Sequence, residues 1–238
     1  MGLFTPKLPE HIDLSDPDCR VRLRTNRRAR RLTLKLSVDG AVSLTVPPGV
    51  ALRDLKQFLA SHADWLKGAL SRQPARIRID HGTRVPVAGR ELTVVIAPGP
   101  RRAPVIDAGQ IVVRGPGDPG PRVAVLLKAL ARDRLEPTAR HYARKLGRRI
   151  SRISLRDTTS RWGSCSSTGG LSFSWRLAMT PVAVQDYVAA HEAAHLVELN
   201  HSAAYWRTLE RIMPDYQVHR GWLRQHGRHL HAYRFTAD

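Results

Sequence analysis

The 238-residue sequence predicts an α+β fold, with a β-rich N-terminal domain that carries one helix over residues 1–120 and a mixed domain over residues 121–238. Three observations point there. Short runs that alternate apolar and polar residues crowd the first half. A long helical pattern, then strands, then another helix make up the second half. Between them Gly115-Pro116-Gly117-Asp118-Pro119-Gly120-Pro121 reads as a linker, because Gly and Pro punctuate regular structure.

Taken in order, residues 1–18 read as a lead-in. Leu32, Leu34, Leu36 and Val38 alternate with polar residues, as do Val42, Leu44 and Val46, and Asp39-Gly40 between them is a hairpin signal. Residues 51–70 predict one amphipathic helix with Leu52, Leu55, Leu59, Leu66 and Leu70 near one face and Trp65 packed beside them. Strand-like runs follow at 84–87, 91–96, 105–107 and 110–114. A helix is expected over 123–149, kinked or split at Pro137, since proline removes a helical N–H. Ile153–Thr159 reads as a strand. Leu171, Phe173, Trp175 and Leu177 alternate with Ser172, Ser174 and Arg176 and predict a half-buried strand, joined to its predecessor through Gly169-Gly170. From Pro181 the apolar positions Val182, Val184, Tyr187, Val188, Leu196 and Leu199 follow a helical period, with Thr180 as N-cap and Asn200 as the stop. Ser202 is the expected N-cap of a helix over 203–212.

Composition bounds the protein class. Hydrophobic residues make up 42% of the chain, enough for a real core. Cys19 and Cys165 are far apart and suggest no disulfide framework. No apolar run is long enough for a membrane span, and the N-terminus lacks a signal-peptide core, so a cytoplasmic protein with no membrane partner is expected. The formal charge of +19 is spread over both halves. Its densest stretch holds Arg140, Arg144 and Arg148 at i, i+4 spacing. Nucleic acid is therefore a candidate partner, against the plainer reading of a solvated helix face.

The chemistry concentrates at His191-Glu192-Ala193-Ala194-His195. Histidines four apart on a helix lie one turn apart on one face, so both can offer imidazole nitrogens to one Zn²⁺. Glu192 flanks that position and is placed as general base for a water whose pKa zinc brings to roughly 7. Catalytic zinc keeps three protein ligands and one open position, and His201 is the expected third ligand. Helix, strands and motif helix in this order suit a zincin-like catalytic domain. The third-histidine spacing is also that of metzincins, but Glu198 stands where their pattern has Gly. Ser172, Ser174 and Arg176 on the expected edge strand, with Tyr205, are candidate peptide-binding residues. Tyr205, Arg161 and His219 are conceivable oxyanion donors, and Glu198 and Asp186 conceivable partners for the ligand imidazoles. Cys165 reads as a small turn residue rather than a fourth ligand.

A wider set of segments carries a resemblance. Arg161-Trp162-Gly163-Ser164-Cys165-Ser166, Trp175-Arg176-Leu177, Tyr187-Val188, the HEAAH pentapeptide, Asn200-His201-Ser202, Tyr205-Trp206 and Pro214-Asp215-Tyr216 occur in this order. Together they resemble the YgjP-like metallopeptidase family, related to the SprT-like zinc proteases. Asn26–Arg31 and Leu44–Pro47 extend the likeness into the first half. Ala193 departs from the usual Leu and Tyr205 from the usual Phe. The resemblance implies His191, His195 and His201 as zinc ligands, Glu192 as catalytic acid/base, and a peptide or protein substrate. SprT-like relatives act on DNA-bound proteins, which bears on the arginine stripe. Two other readings stand beside this one: a non-catalytic zinc-stabilised nucleic-acid-binding module, and a zinc hydrolase of another amide or ester.

Overall fold

A computed structural model describes residues 8–37 and 40–236. Val38 and Asp39, and with them part of the expected hairpin signal, lie outside the described residues, as does the start of the lead-in. The chain divides into two compact units, Met1–Ala75 and Arg76–Asp238.

The first unit is a four-stranded sheet with two helices. Strands β1 (His11–Ser15), β2 (Asp18–Thr25), β3 (Thr33–Leu36) and β4 (Val42–Val46) lie in the order β1-β2-β4-β3, and β3 pairs antiparallel with β4 as the alternation predicts. Val21, Leu44 and Val46 from the sheet meet Leu55, Leu59 and Leu66 in the core. The single helix expected over 51–70 is two, α1 (Leu52–Ser61) and α2 (Ala63–Ser71). The break has a local cause: Ser61 Oγ donates to Phe58 O, and the His62 ring bonds the same carbonyl at 2.9 Å. Such side-chain bonds compete with the helical ladder. Trp65, expected to pack, is 49% exposed.

The second unit begins well before the Gly/Pro run. A short strand β5 (Ile77–Arg78) precedes a four-stranded sheet of β6 (Arg84–Val87), β7 (Arg90–Ala97), β8 (Val105–Asp107) and β9 (Gln110–Arg114), ordered β6-β7-β9-β8. Val85, Val94, Ile111 and Val113 of this sheet share one apolar core with Leu127, Leu135, Phe173, Leu177 and Ala190. The division expected at 120 would cut that core; the observed boundary falls between Ala75 and Arg76. The Gly/Pro run is not a linker, because it is tied down. Asp118 accepts from Gly120 N at 2.9 Å and caps helix α3 (Pro119–Lys145). Buried Arg122 donates to the carbonyls of Arg102, Arg114 and Gly115, and a Cβ on Gly120 would sit 2.8 Å from Phe235 O. Pro137 lies inside α3 without splitting it.

After α3 comes a three-stranded sheet of β10 (Arg152–Arg156), β11 (Gly163–Cys165) and β12 (Gly170–Ser174), ordered β10-β12-β11. The strand expected over 171–177 stops at Ser174 and runs into a 3-10 helix, Trp175–Met179. It is also central rather than an edge, pairing parallel with β10 and antiparallel with β11. Helices α4 (Val182–Ala194), α5 (Ala203–Ile212) and α6 (Tyr216–Leu230) follow, and β13 (Tyr233–Arg234) returns to pair with β5. No described helix is long and apolar enough to cross a membrane.

Candidate active site

Helix α4 carries the pentapeptide, and its surroundings explain the local fold. Pro181 is its N-cap, and Gln185 Nε2 donates back to Thr180 O at 3.0 Å. The side chains of the small residues Ala189, Ala190, Ala193 and Ala194 are buried, which lets the neighbouring elements approach closely. The helix ends at Ala194 with His195 as C-cap, earlier than the stop expected at Asn200. Asn200 instead accepts from Ser202 N at 3.2 Å, and Ser202 Oγ caps α5 by accepting from Tyr205 N. This turn brings His201 back over α4.

The result is a cluster. The ligand atoms of His191, His195 and His201 all lie within 4.8 Å of one another, the one such His/Cys/Asp/Glu group that could hold a metal ion among the described residues. His201 Nε2 and His191 Nε2 are 3.2 Å apart. His195 Nδ1 donates to the backbone carbonyl of Glu198 at 2.9 Å, which leaves Nε2 as the free lone pair. Glu198 thus orients a histidine through its backbone, not its carboxylate. Asp186 does not reach the histidines; it is bound by Arg134 at 2.7 Å. The ring of Tyr205 stacks on His195 at 4.4 Å, and its hydroxyl donates to His191 O at 3.1 Å. His201 stacks on Trp206, which stacks on Tyr216 and carries Arg220 over its face.

Electrostatics favours neutral rings. Burial, then the neighbouring His195 and His201, push His191 down to about 3, and burial lowers His195 as well. Three imidazoles whose ligand atoms converge this closely fit a divalent metal that prefers nitrogen ligands. Glu192 is 4% exposed, and its Oε2 has no hydrogen-bond partner. Burial raises its carboxyl to about 8, with Arg161 pulling the other way; a divalent cation on the histidines would pull it further down, toward the ionised form that accepts a proton. Burial and then Glu192 raise Cys165 to about 11, and Cys165 stands outside the convergent group formed by the three histidines.

A cavity of ≈ 390 Å³ opens over these groups, lined by His191, Glu192, His195 and His201 on one side and Arg161, Gly163, Ser164 and Cys165 on another. Strand β11 therefore forms a wall of the cavity. Gly163 sits against Glu192, where a Cβ would lie 2.6 Å from Glu192 Cγ and 2.7 Å from Cδ. Tyr187, whose hydroxyl lies 3.5 Å from His191 Nδ1, and Trp162 also line the cavity. Tyr187 stands one helical turn before His191, a spacing that puts the two side chains on one face.

The remaining expected site residues fall elsewhere. Ser174 is fully buried. Arg176 is buried too and holds Asp157 at 2.7 Å and the carbonyls of Leu230 and Tyr233, so it clamps the C-terminal turn. Tyr205 is buried behind the histidines rather than lining the cavity. His219 is paired with Asp215 at 3.0 Å. Ser172 lines a second cavity on the sheet. Arg140, Arg144 and Arg148 border a small cavity at the end of α3, but the helix stops at Lys145, so Arg148 is not on its face, and Arg140 is paired with Glu136 at 2.8 Å.

An α+β unit with a three-histidine cluster and a buried carboxylate under an open cavity has the layout of a metal-dependent hydrolase. The family model for YgjP-like proteins, metallopeptidase domain, matches residues 30–226, and the chain belongs to this metallopeptidase family. Among solved structures it is similar to the metallopeptidase zymogen abylysin of Pyrococcus abyssi, with 21% identity over 39% of this chain and 92% of that chain and a TM-score of 0.35. No curated protein matches the chain.

Proposed function

We propose that the chain is a zinc-dependent peptidase of the HExxH type, in which His191, His195 and His201 hold one Zn²⁺ and Glu192 is the general base. One observation carries this reading: three convergent imidazoles share a cavity with a buried carboxylate oxygen that has no other partner. A structural zinc site would close with a fourth ligand and has no use for that carboxylate. When bound, zinc supplies Lewis-acid chemistry, lowering the pKa of water to roughly 7 and polarising a carbonyl.

The chain's own residues do the rest. His195 is fixed in one tautomer by Glu198 O, and Tyr205 and Trp206 hold the ring planes of His195 and His201. Glu192 removes a proton from the attacking water at Oε2 and delivers it to the leaving amine. Arg161, which also lines the cavity, offers positive charge to the oxyanion that develops at the scissile carbonyl. Strand β11 ends its sheet, so its outer edge can pair with an extended peptide and align it over the histidines. This moves the edge role from the strand at 171–177 to Gly163–Cys165.

The test is cleavage of a diverse peptide library by purified protein, with and without a chelator. Cleavage that stops on chelation and returns with zinc supports the reading. Zinc-loaded, folded protein that cuts nothing overturns it.

A further inference from the structure

The three-stranded sheet carries a second cavity of ≈ 300 Å³ that shares Arg161 and β11 with the first. Its floor follows from strand register. Ser154 on β10 pairs with Ser172 on β12, and Ser172 pairs with Ser164 on β11. Directly opposed residues lie on one face, so three hydroxyls form a row across the sheet. Arg152 and Arg156, two residues either side of Ser154, share that face, and Arg161 completes the rim. None of the lining residues is acidic. Among the described residues no carboxylate forms a salt bridge with any of these three guanidinium groups. Hydroxyl donors beside the Arg152 and Arg156 guanidinium groups, neither of which is in a salt bridge among the described residues, suit a carboxylate, which accepts at both oxygens.

The strand geometry connects this cavity to the catalytic one. Gly163 and Ser164 border both cavities; Gly163 sits against Glu192 on α4, so the side chain of Ser164, one residue on, turns to the opposite face. A peptide laid along the edge of β11 alternates in the same way. One set of its side chains enters the histidine cavity, and the other set arrives over the serine row. We propose that this second cavity is a specificity subsite for an aspartate or glutamate side chain of the peptide substrate. The proposal rests on the peptidase reading above.

The test separates the two. A set of quenched fluorogenic peptides is made in which a single Glu is walked through an otherwise neutral sequence, with Gln and Lys counterparts at each position. Zinc-loaded wild-type protein is expected to favour Glu over Gln by about tenfold in kcat/KM at alternate positions only. The Arg152→Glu/Arg156→Glu variant is expected to lose that preference. Arg144→Glu/Arg148→Glu, which changes net charge equally, is expected to keep it. Cleavage with no positional preference, or a preference that both variants lose alike, reduces the effect to bulk charge and overturns the subsite while the peptidase reading stands. If nothing is cut, the peptidase reading fails. Fluorescence anisotropy with the same peptides, labelled, then decides the subsite: position-dependent binding of Glu peptides lost only in Arg152→Glu/Arg156→Glu supports it, and its absence overturns it.

Discussion

Gly163 and Glu192 occupy each other's space: no side chain fits at 163 while Glu192 holds its place, because a Cβ there would lie 2.6 Å from Glu192 Cγ. The glycine on β11 thus sets how closely the sheet approaches α4, and that approach buries the carboxylate.

Gly163→Ala is therefore expected to displace Glu192 without removing any histidine. Overpacking of this kind costs about 2 kcal/mol of stability. Peptide cleavage should fall by about 100-fold, since a misplaced base loses most of its general-base effect. Zinc content should stay at the wild-type level. Thermal unfolding, metal analysis and kcat/KM on one preparation check all three, and an alanine variant with full activity would contradict the steric account.

Tyr205→Phe removes the bond to His191 O and keeps the ring that stacks on His195. The expected cost is about 1 kcal/mol of stability. Zinc affinity should weaken by about tenfold, as for other groups that orient metal ligands. Competition with a chromogenic chelator measures it.

Arg176→Leu should destabilise the protein by about 3 kcal/mol, because it leaves the Leu230 and Tyr233 carbonyls unmatched and Asp157 without its cation. Hydrogen exchange should rise around residues 230–235. Activity per folded molecule should hold, since Arg176 lies outside the histidine cavity. Loss of kcat with unchanged stability would restore Arg176 to a substrate role.

Metal binding should report on folding. If the site forms only in the folded chain, free zinc at about 1,000 times Kd adds about 4 kcal/mol of stability. The melting temperature of wild-type protein should climb with zinc, and that of His201→Ala should climb much less. Equal zinc responses would place the metal elsewhere.

The contrast between what was and was not legible follows from contact range. His191, Glu192 and His195 sit within one pentapeptide, so helical geometry alone places them together, and His201 needs only one turn. The approach of Gly163 to Glu192 joins a strand to a helix well beyond it in the chain, so no periodicity reports it. The alternation at 171–177 marked a strand but could not count its neighbours; both edges of β12 are paired. The Gly/Pro run looked like a linker because composition does not reveal the Asp118 cap, or Arg122 gathering three carbonyls around it. The same long-range packing moved the division between the two units from 120 to Ala75.

The central claim is that a zinc held by three histidines is used by Glu192. Glu192→Gln tests it most directly, because the amide keeps the volume and cannot accept the proton. Measured on one preparation, the variant is predicted to retain one zinc per chain and the wild-type melting profile, while peptide cleavage falls by at least about 100-fold. A Glu192→Gln protein that holds zinc and cleaves at the wild-type rate would contradict the account.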